Sequence, residues 1–316
     1  MKILANDGIS ESGISLLEKN GFQVLTTTVA QQQLANYIND NDVVGLLVRS
    51  ATKVKKDVID ACPKLKLIGR GGVGMDNIDV AYAESKGIHV INTPAASSES
   101  VAELVFAHLY GGVRFLYDAN RNMPLEGDSR FKQLKKSYGK GKELRGKTLG
   151  IIGFGRIGQA TAKLAIGVGM NVLYHDPQLD NVEVSLSFFD NRSVTFNLKN
   201  TDKERLLKEA DFITVHVPFQ NEYVLGKKEF DMMKDGVGII NAARGGVIDE
   251  VALVAALESN KISFAGMDVY ESEPNPEIKI LMHPKISLTP HIGAATEEAQ
   301  DRIGVELAEQ IISRLK

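Results

Sequence analysis

The stretch from residue 147 to residue 176 constrains the fold of this 316-residue chain more than any other. Residues 149–152, Leu-Gly-Ile-Ile, make a short apolar run suited to a strand buried in a parallel sheet. Gly153, Gly155 and Gly158 follow in G-x-G-x-x-G spacing, and an apolar run with helical periodicity continues to Val168. In a dinucleotide site the first glycine makes the tight turn and the second lets the main chain approach a pyrophosphate. The third lets helix and strand pack closely. A helix opening near Arg156 aims its unbonded N–H groups and positive dipole end at the phosphates. A second strand over 171–174 leads to Asp176, about 20 residues beyond the glycines, where an acid accepts ribose hydroxyls and repels a 2′-phosphate. A glycine triplet alone is also the mark of a structural turn. Strand, glycines, helix, strand and acid in this order point to a bound dinucleotide, NAD in preference to NADP.

Composition narrows the setting. Apolar residues are 43% and charged residues 24%, which is ordinary for a water-soluble globular protein long enough for two domains. A net charge of −3 gives no basic surface for nucleic acid or membrane. The single cysteine, Cys62, cannot form an internal disulfide and favours a reducing compartment. The opening residues 1–7 read as a strand, too short in their apolar run and too acidic for a signal peptide. No 18 uncharged apolar residues run together. The six histidines lack paired ligand spacing, so no metal is expected. A cytoplasmic location is the expectation.

The first hundred residues alternate strand-like runs (2–5, 23–25, 43–48, 65–69, 89–92) with helical spacing (10–19, 30–39, 55–61, 80–85), which predicts a parallel sheet with helices on both faces. From Ser98 a polar cap precedes a helical pattern that is expected to run through Phe115, with a kink at Gly111-Gly112. Residues 126–142 turn polar and lysine-rich. Beyond Asp176, strands over 212–216, 237–241, 264–269 and 286–289 bring the second sheet to six, the size of a full dinucleotide fold. Residues 183–196 differ: two alternating β-rich runs flank Asp190-Asn191, as in a surface hairpin. The segment 296–315 is amphipathic and is expected to pack back on the first domain.

Three polar clusters end predicted strands in the second half, where α/β sheets place their ligands. The first, Asn241-Ala242-Ala243-Arg244, puts an arginine in a glycine-flanked turn suited to bidentate carboxylate binding. The second runs from Asp268 to Glu273, and the third sets His291 between Pro290 and Ile292-Gly293. Each alone is compatible with a surface arginine or a structural histidine. Together they make a hydride-transfer site: an arginine to hold the substrate acid, a histidine to exchange the hydroxyl proton, and a glutamate beside it. A nearby carboxylate stabilises imidazolium and keeps the acid form available for carbonyl reduction.

These clusters, with the glycine motif and Asp176, resemble the D-isomer-specific 2-hydroxyacid dehydrogenases over nearly the whole chain. The resemblance implies Arg244, Glu273 and His291 as the catalytic set, with His291 the general acid/base. It implies cofactor contacts at Gly153, Gly155, Arg156, Ile157, Gly158 and Asp176, and at His216, Val217 and Pro218. Further contacts fall at Ala242, Ala243, Arg244, Asp268, His291, Gly293 and Ala294, with Val73 near the cofactor as well. Gly72, Val73 and Gly74 match the loop whose N–H groups hold the substrate carboxylate. The implied architecture is α/β, with two doubly wound parallel-sheet domains. A flavodoxin-like substrate domain takes residues 1–97 plus 291–316, and a Rossmann NAD-binding domain takes 98–290. A homodimer is implied too.

Within the family, residues 48–54 and 68–77 are similar to the D-3-phosphoglycerate dehydrogenases, in which arginines matching Arg49 and Arg70 face the substrate phosphate. Two guanidinium groups suit a dianion better than a methyl group. The resemblance therefore implies oxidation of D-3-phosphoglycerate to 3-phosphohydroxypyruvate, the entry to serine synthesis, in a short form without the serine-sensing domain of longer relatives. The alternatives are reduction of hydroxypyruvate, glyoxylate or another 2-keto acid, and an NAD-sensing binding module like the C-terminal-binding corepressors.

Overall fold

The computed structural model describes residues 1–316, which divide into two compact units, Met1–Ser100 with Ala294–Lys316 and Val101–Gly293. Each crossover falls three residues later than expected from sequence, at 100/101 and 293/294 in place of 97/98 and 290/291. His291 accordingly belongs with the second unit. The physical tie is the Asp268 carboxylate, which accepts hydrogen bonds from the Ile292 and Gly293 amides at 2.8 Å each and holds that turn to its own strand.

In the first unit, strands β1 (Lys2–Ala5), β2 (Gln23–Leu25), β3 (Val43–Val48), β4 (Leu67–Arg70) and β5 (His89–Asn92) form one parallel sheet in the order β2-β1-β3-β4-β5. This is the flavodoxin-like order, whose strand ends at the switch point suit ligand binding. Its strands are apolar on both faces because both are covered. On one side Leu4, Val43, Leu46 and Ile68 pack on helices Leu34–Asp40 and Lys56–Ala61 through Leu34, Ile38, Val58 and Ile59. On the other, Ile3, Leu47, Leu67 and Ile91 pack with Leu17 and with Ile303, Leu307 and Ile311 of the closing helix Glu297–Leu315. That helix starts where Thr296 accepts a hydrogen bond from the Ala299 amide. The last residues of the chain thus complete the core begun by the first.

In the second unit, β6 (Thr148–Ile152), β7 (Asn171–His175), β10 (Phe212–Val215), β11 (Val237–Asn241), β12 (Ile262–Met267) and β13 (Ile286–Leu288) form a parallel sheet in the order β13-β12-β11-β10-β6-β7. The order reverses between β6 and β10, which opens the ligand crevice at their carboxyl ends. β8 (Asn181–Ser187) and β9 (Ser193–Lys199) make an antiparallel hairpin turned at Asn191, whose φ of +63° is the left-handed backbone such a turn requires. Beyond β9, Asn200 bridges in parallel to Tyr174, so the hairpin stands where a further edge strand would join the sheet.

The helix from Ser98 ends at Val113, before the residue at which sequence periodicity carries it. Gly111 and Gly112 stay helical, and a Cβ at Gly112 would fall 2.1 Å from the Phe264 ring, so the glycine admits close packing rather than a kink. Phe115 breaks the run with a left-handed φ of +56°, and a second helix, Leu116–Glu126, follows. Residues 131–138 of the lysine-rich stretch form a third. No helix of the chain is long and apolar enough to cross a membrane.

Candidate active site

In the first unit, Val48 pairs with Arg70 across β3 and β4, so Arg49 and Arg70 emerge at neighbouring carboxyl ends of one sheet. Asp7 fixes the Arg49 turn by accepting from the Arg49 amide at 2.6 Å, while Asn77 donates to the Arg49 carbonyl at 2.7 Å. The Arg49 guanidinium is held partly out of water: burial lowers its pKa although the charge of Asp7 works the other way. The loop Gly71–Gly74 lies between the two side chains. A Cβ at Gly71 would touch the Arg49 stem at 3.7 Å, and one at Gly72, whose φ is +144°, would collide with the Arg70 guanidinium. Thr93 donates to the Gly72 carbonyl and Asn92 to the Val73 carbonyl, which pins the loop from its outer side. The Val73 and Gly74 amides find no acceptor within the chain. Two arginines at neighbouring strand ends beside a glycine-rich loop are residues that could hold an anion.

In the second unit, Gly153 follows β6 with φ +90°, and a Cβ there would lie 2.5 Å from the His216 carbonyl at the end of β10. A Cβ at Gly158 would lie 2.3 Å from the Gly153 carbonyl. Both glycines are therefore required by close main-chain approach at the switch point. No side chain caps the helix Arg156–Gly167 behind Gly155, so the amides of its first turn stay open to a phosphate. Asp176 stands just past β7, where its carboxylate accepts from the Phe154 amide at 2.8 Å and the Gln178 amide at 2.9 Å. It ties the glycine loop to the ribose side of the crevice. Phe154 stacks on Tyr174 beneath that loop, with centroids 3.9 Å apart.

His216 contributes main chain rather than ring. Its imidazole turns inward, with Nε2 3.2 Å from the Thr214 hydroxyl and 3.4 Å from that of Thr161, and burial pushes its pKa down to about 3. Val217 and Pro218 continue from it along the same strand end. Ala242 and Ala243 are buried after β11, where Asn241 shapes the next turn: its Oδ1 accepts from the Ala243 amide and its Nδ2 donates to the Arg244 carbonyl. Arg244 Nη1 donates to the Ala243 carbonyl at 2.7 Å.

His291 Nδ1 lies 2.8 Å from Glu273 Oε2, and Glu273 Oε1 accepts from the Tyr270 amide at 3.0 Å. Burial raises the Glu273 pKa, but hydrogen bonds from His291 and the Tyr270 amide, with the charges of His291 and Arg244, outweigh it and hold the carboxyl below its usual range. With Nδ1 directed at the carboxylate, Nε2 is the ring nitrogen left to exchange a proton. Arg244, Glu273 and His291 thus share one electrostatic neighbourhood. His291 itself has a left-handed φ of +56°. Asp268 is buried and accepts from the Ile292 and Gly293 amides and the Thr289 hydroxyl, so its carboxylate holds the histidine turn. Ala294, just beyond, begins the return to the first unit.

Two features escaped sequence reasoning. Glu250 and Glu271 bond reciprocally, each carboxylate accepting from the other's amide at 2.9 and 3.1 Å, which joins the helix after the Arg244 turn to the Glu273 segment. His108 reaches Thr289 and Ser287 from the helix Ser98–Val113. Reciprocal bonds between residues 21 apart, or contacts between residues 179 and 181 apart, leave no periodic mark.

The crevice fits NAD: the glycine cradle excludes side chains, the open helix turn faces where phosphates lie, and the Asp176 carboxylate suits a ribose diol while opposing a 2′-phosphate. Residues 106–293, more than half of the chain, match the family model described as D-isomer specific 2-hydroxyacid dehydrogenase, NAD binding domain. The chain is similar to a hydroxypyruvate reductase from Thermotoga maritima, 42% identical over 99% of this chain and 98% of that protein. It is also similar to a D-3-phosphoglycerate dehydrogenase from Methanocaldococcus jannaschii, 44% identical over 98% of this chain, of which it spans only 57%. Among solved structures, the NAD+-bound 3-phosphoglycerate dehydrogenase of Entamoeba histolytica superimposes with a TM-score of 0.77 at 28% identity, covering 99% of this chain and 94% of that one. The chain belongs to the D-isomer-specific 2-hydroxyacid dehydrogenases and takes NAD as its cofactor.

Proposed function

We propose that this enzyme interconverts D-3-phosphoglycerate and 3-phosphohydroxypyruvate. What supports the reading is that Arg49 and Arg70 leave neighbouring carboxyl ends of one sheet, beside the glycine loop 71–74. A phosphate and a carboxylate on one small acid suit two arginines, and an uncharged tail would offer the partly buried Arg49 guanidinium no charge-assisted hydrogen bond from the substrate.

Arg49 and Arg70 take the phosphate, and Val73 and Gly74 the substrate carboxylate, in this assignment. Arg244 orients the carboxylate and reacting oxygen by bidentate hydrogen bonding. His291 Nε2 accepts the hydroxyl proton on oxidation and returns it to the carbonyl oxygen on reduction. Glu273 fixes the ring tautomer through Nδ1 and stabilises the imidazolium. The cofactor, when bound, supplies the acceptor for the hydride that leaves the same carbon. Gly153, Gly155, Arg156, Ile157, Gly158 and Asp176 hold its phosphates and ribose, with the main chain of His216–Pro218 and 242–244 along the remaining wall. A cytoplasmic homodimer is the setting proposed with this activity.

A second reading, reduction of hydroxypyruvate, is favoured by the relative of that name, which matches this chain over nearly the full length of both. NADH oxidation with 3-phosphohydroxypyruvate, hydroxypyruvate, glyoxylate and pyruvate separates the two. Preference for the phosphorylated acid supports the first reading. Preference for hydroxypyruvate replaces it with the second, and no turnover on any acid moves the chain toward a binding role.

A further inference from the structure

We infer that His108 is a positioning residue for His291, acting through Thr289 and Asp268. The inference rests on the reading of His291 as the proton-exchanging group.

His291 is a bulky residue in the left-handed region, a conformation that persists only where its surroundings enforce it. Several of the enforcing bonds converge on Thr289, two residues earlier. Its carbonyl accepts from the His291 amide at 3.1 Å and from the Tyr270 hydroxyl at 2.8 Å. Its hydroxyl donates to Asp268 Oδ1 at 2.6 Å, and the Asp268 carboxylate in turn accepts from the two amides that follow His291. The left-handed turn is therefore gripped on both sides by one carboxylate and one threonine.

His108 sets the orientation of that threonine. Its Nε2 lies 3.0 Å from Thr289 Oγ1 and its Nδ1 2.9 Å from Ser287 Oγ. A threonine hydroxyl has one proton, and this one is committed to Asp268, so Thr289 accepts at Oγ1 and His108 carries its proton on Nε2. A neutral imidazole then has Nδ1 as acceptor, and Ser287 donates to it. The donors run in one direction, from Ser287 through His108 and Thr289 to Asp268. Burial lowers the His108 pKa, although the Asp268 charge works the other way, a shift in the same sense as this pattern. The residue packs directly on β12, where a Cβ at Gly266 would fall 2.6 Å from the His108 Cβ. Leucine at 108 would fill the space, leave the Ser287 and Thr289 hydroxyls without this partner, and release the Thr289 rotamer.

The test compares His108→Leu, His108→Gln, Thr289→Val and the His108→Leu/Thr289→Val double variant. Each is assayed by NADH oxidation with the 2-keto acid that wild type reduces fastest, and by NADH titration. His108→Leu is expected to lower kcat at least tenfold, with KM and the NADH Kd within threefold of wild type. His108→Gln, whose amide can still donate toward Thr289, is expected to recover kcat to within threefold. Thr289→Val should match the His108→Leu loss, and the double variant should be no worse than Thr289→Val, because both act through one link. If His108→Leu does not fold, His108→Met, which also lacks a donor, takes its place with the same expectations. Wild-type kcat in the testable single variant, failure of glutamine to rescue, or multiplicative losses in the double variant overturns the inference. His291→Asn, run beside them, separates the cases. Retained turnover there overthrows the acid/base reading itself, whereas lost turnover with an active His108→Leu overthrows only the role of His108.

Discussion

Glu273 Oε2 and His291 Nδ1, 18 residues apart in sequence, are 2.8 Å apart in the structure, and that contact decides which imidazole nitrogen is available for proton exchange. Glu273 accepts at one ring nitrogen, so chemistry belongs to the other. His291→Asn keeps a polar group of similar reach and removes the transferable proton. Its kcat should fall by about 10²–10⁴, the usual contribution of a positioned acid/base, while fluorescence titration shows NADH binding within twofold of wild type. Near-normal kcat would reject His291.

The same contact makes a statement about pH and stability. Glu273 has its folded-state pKa below the ordinary value of 4.5, so its contribution to stability is present above the unfolded pKa and is lost as pH falls through the folded one. Glu273→Gln should unfold at lower denaturant than wild type at pH 7, and the gap should close as pH is lowered below about 4.5. A gap that persisted unchanged at the lowest pH where both proteins fold would contradict this origin. The carboxylate is about one-third exposed, so the effect is a modest shift in midpoint rather than loss of folding.

Glu250 behaves in the opposite sense. Burial raises its pKa, and the neighbouring Glu271, Glu277 and Glu273 add to the rise against the Glu271 amide hydrogen bond. A carboxyl with a raised folded-state pKa stabilises fully below its unfolded pKa, and that stability is lost as pH rises through the folded value. Glu250→Gln stays neutral and keeps an oxygen for the Glu271 amide. Its denaturation midpoint should gain on wild type as pH rises from 5 to 8; an unchanged difference across that range would contradict the expectation.

Asp176 should set cofactor choice. Replacing it with alanine removes the acceptor for the ribose hydroxyls and the charge that opposes a 2′-phosphate. The ratio of kcat/KM with NADH to that with NADPH should fall by about tenfold or more, roughly the worth of one charge-assisted hydrogen bond. Because Asp176 also anchors the Phe154 amide, some loss of thermal stability should accompany the change. An unaltered ratio would remove Asp176 from cofactor discrimination.

The parts of this enzyme legible in its sequence are those with local causes. The β6 strand, its glycines, the following helix and Asp176 occupy one continuous stretch, and each residue type has a steric or electrostatic reason to be there. The hairpin β8–β9 was legible because alternation flanks a turn-forming Asp-Asn pair. Phe115 was not. Its apolar side chain fits the helical pattern, and nothing in a bulky residue signals a left-handed backbone, which is set by the packing around it. His216 and His291 show the same limit within the site. Both follow strands and both precede apolar residues, yet one ring turns into the core against Thr161 and Thr214 while the other meets Glu273. The partners that separate these outcomes come from distant segments, and no spacing rule reaches them.

Recognition of a phosphate by Arg49 can be read from steady-state kinetics of wild type and Arg49→Ala with 3-phosphohydroxypyruvate and hydroxypyruvate. Wild type should favour the phosphorylated acid in kcat/KM. The variant should lose roughly 10- to 100-fold on that acid, as expected for a charge-assisted hydrogen bond, while changing less than about threefold on hydroxypyruvate. A wild type that prefers hydroxypyruvate, or a variant that loses equally on both, would contradict the phosphate assignment.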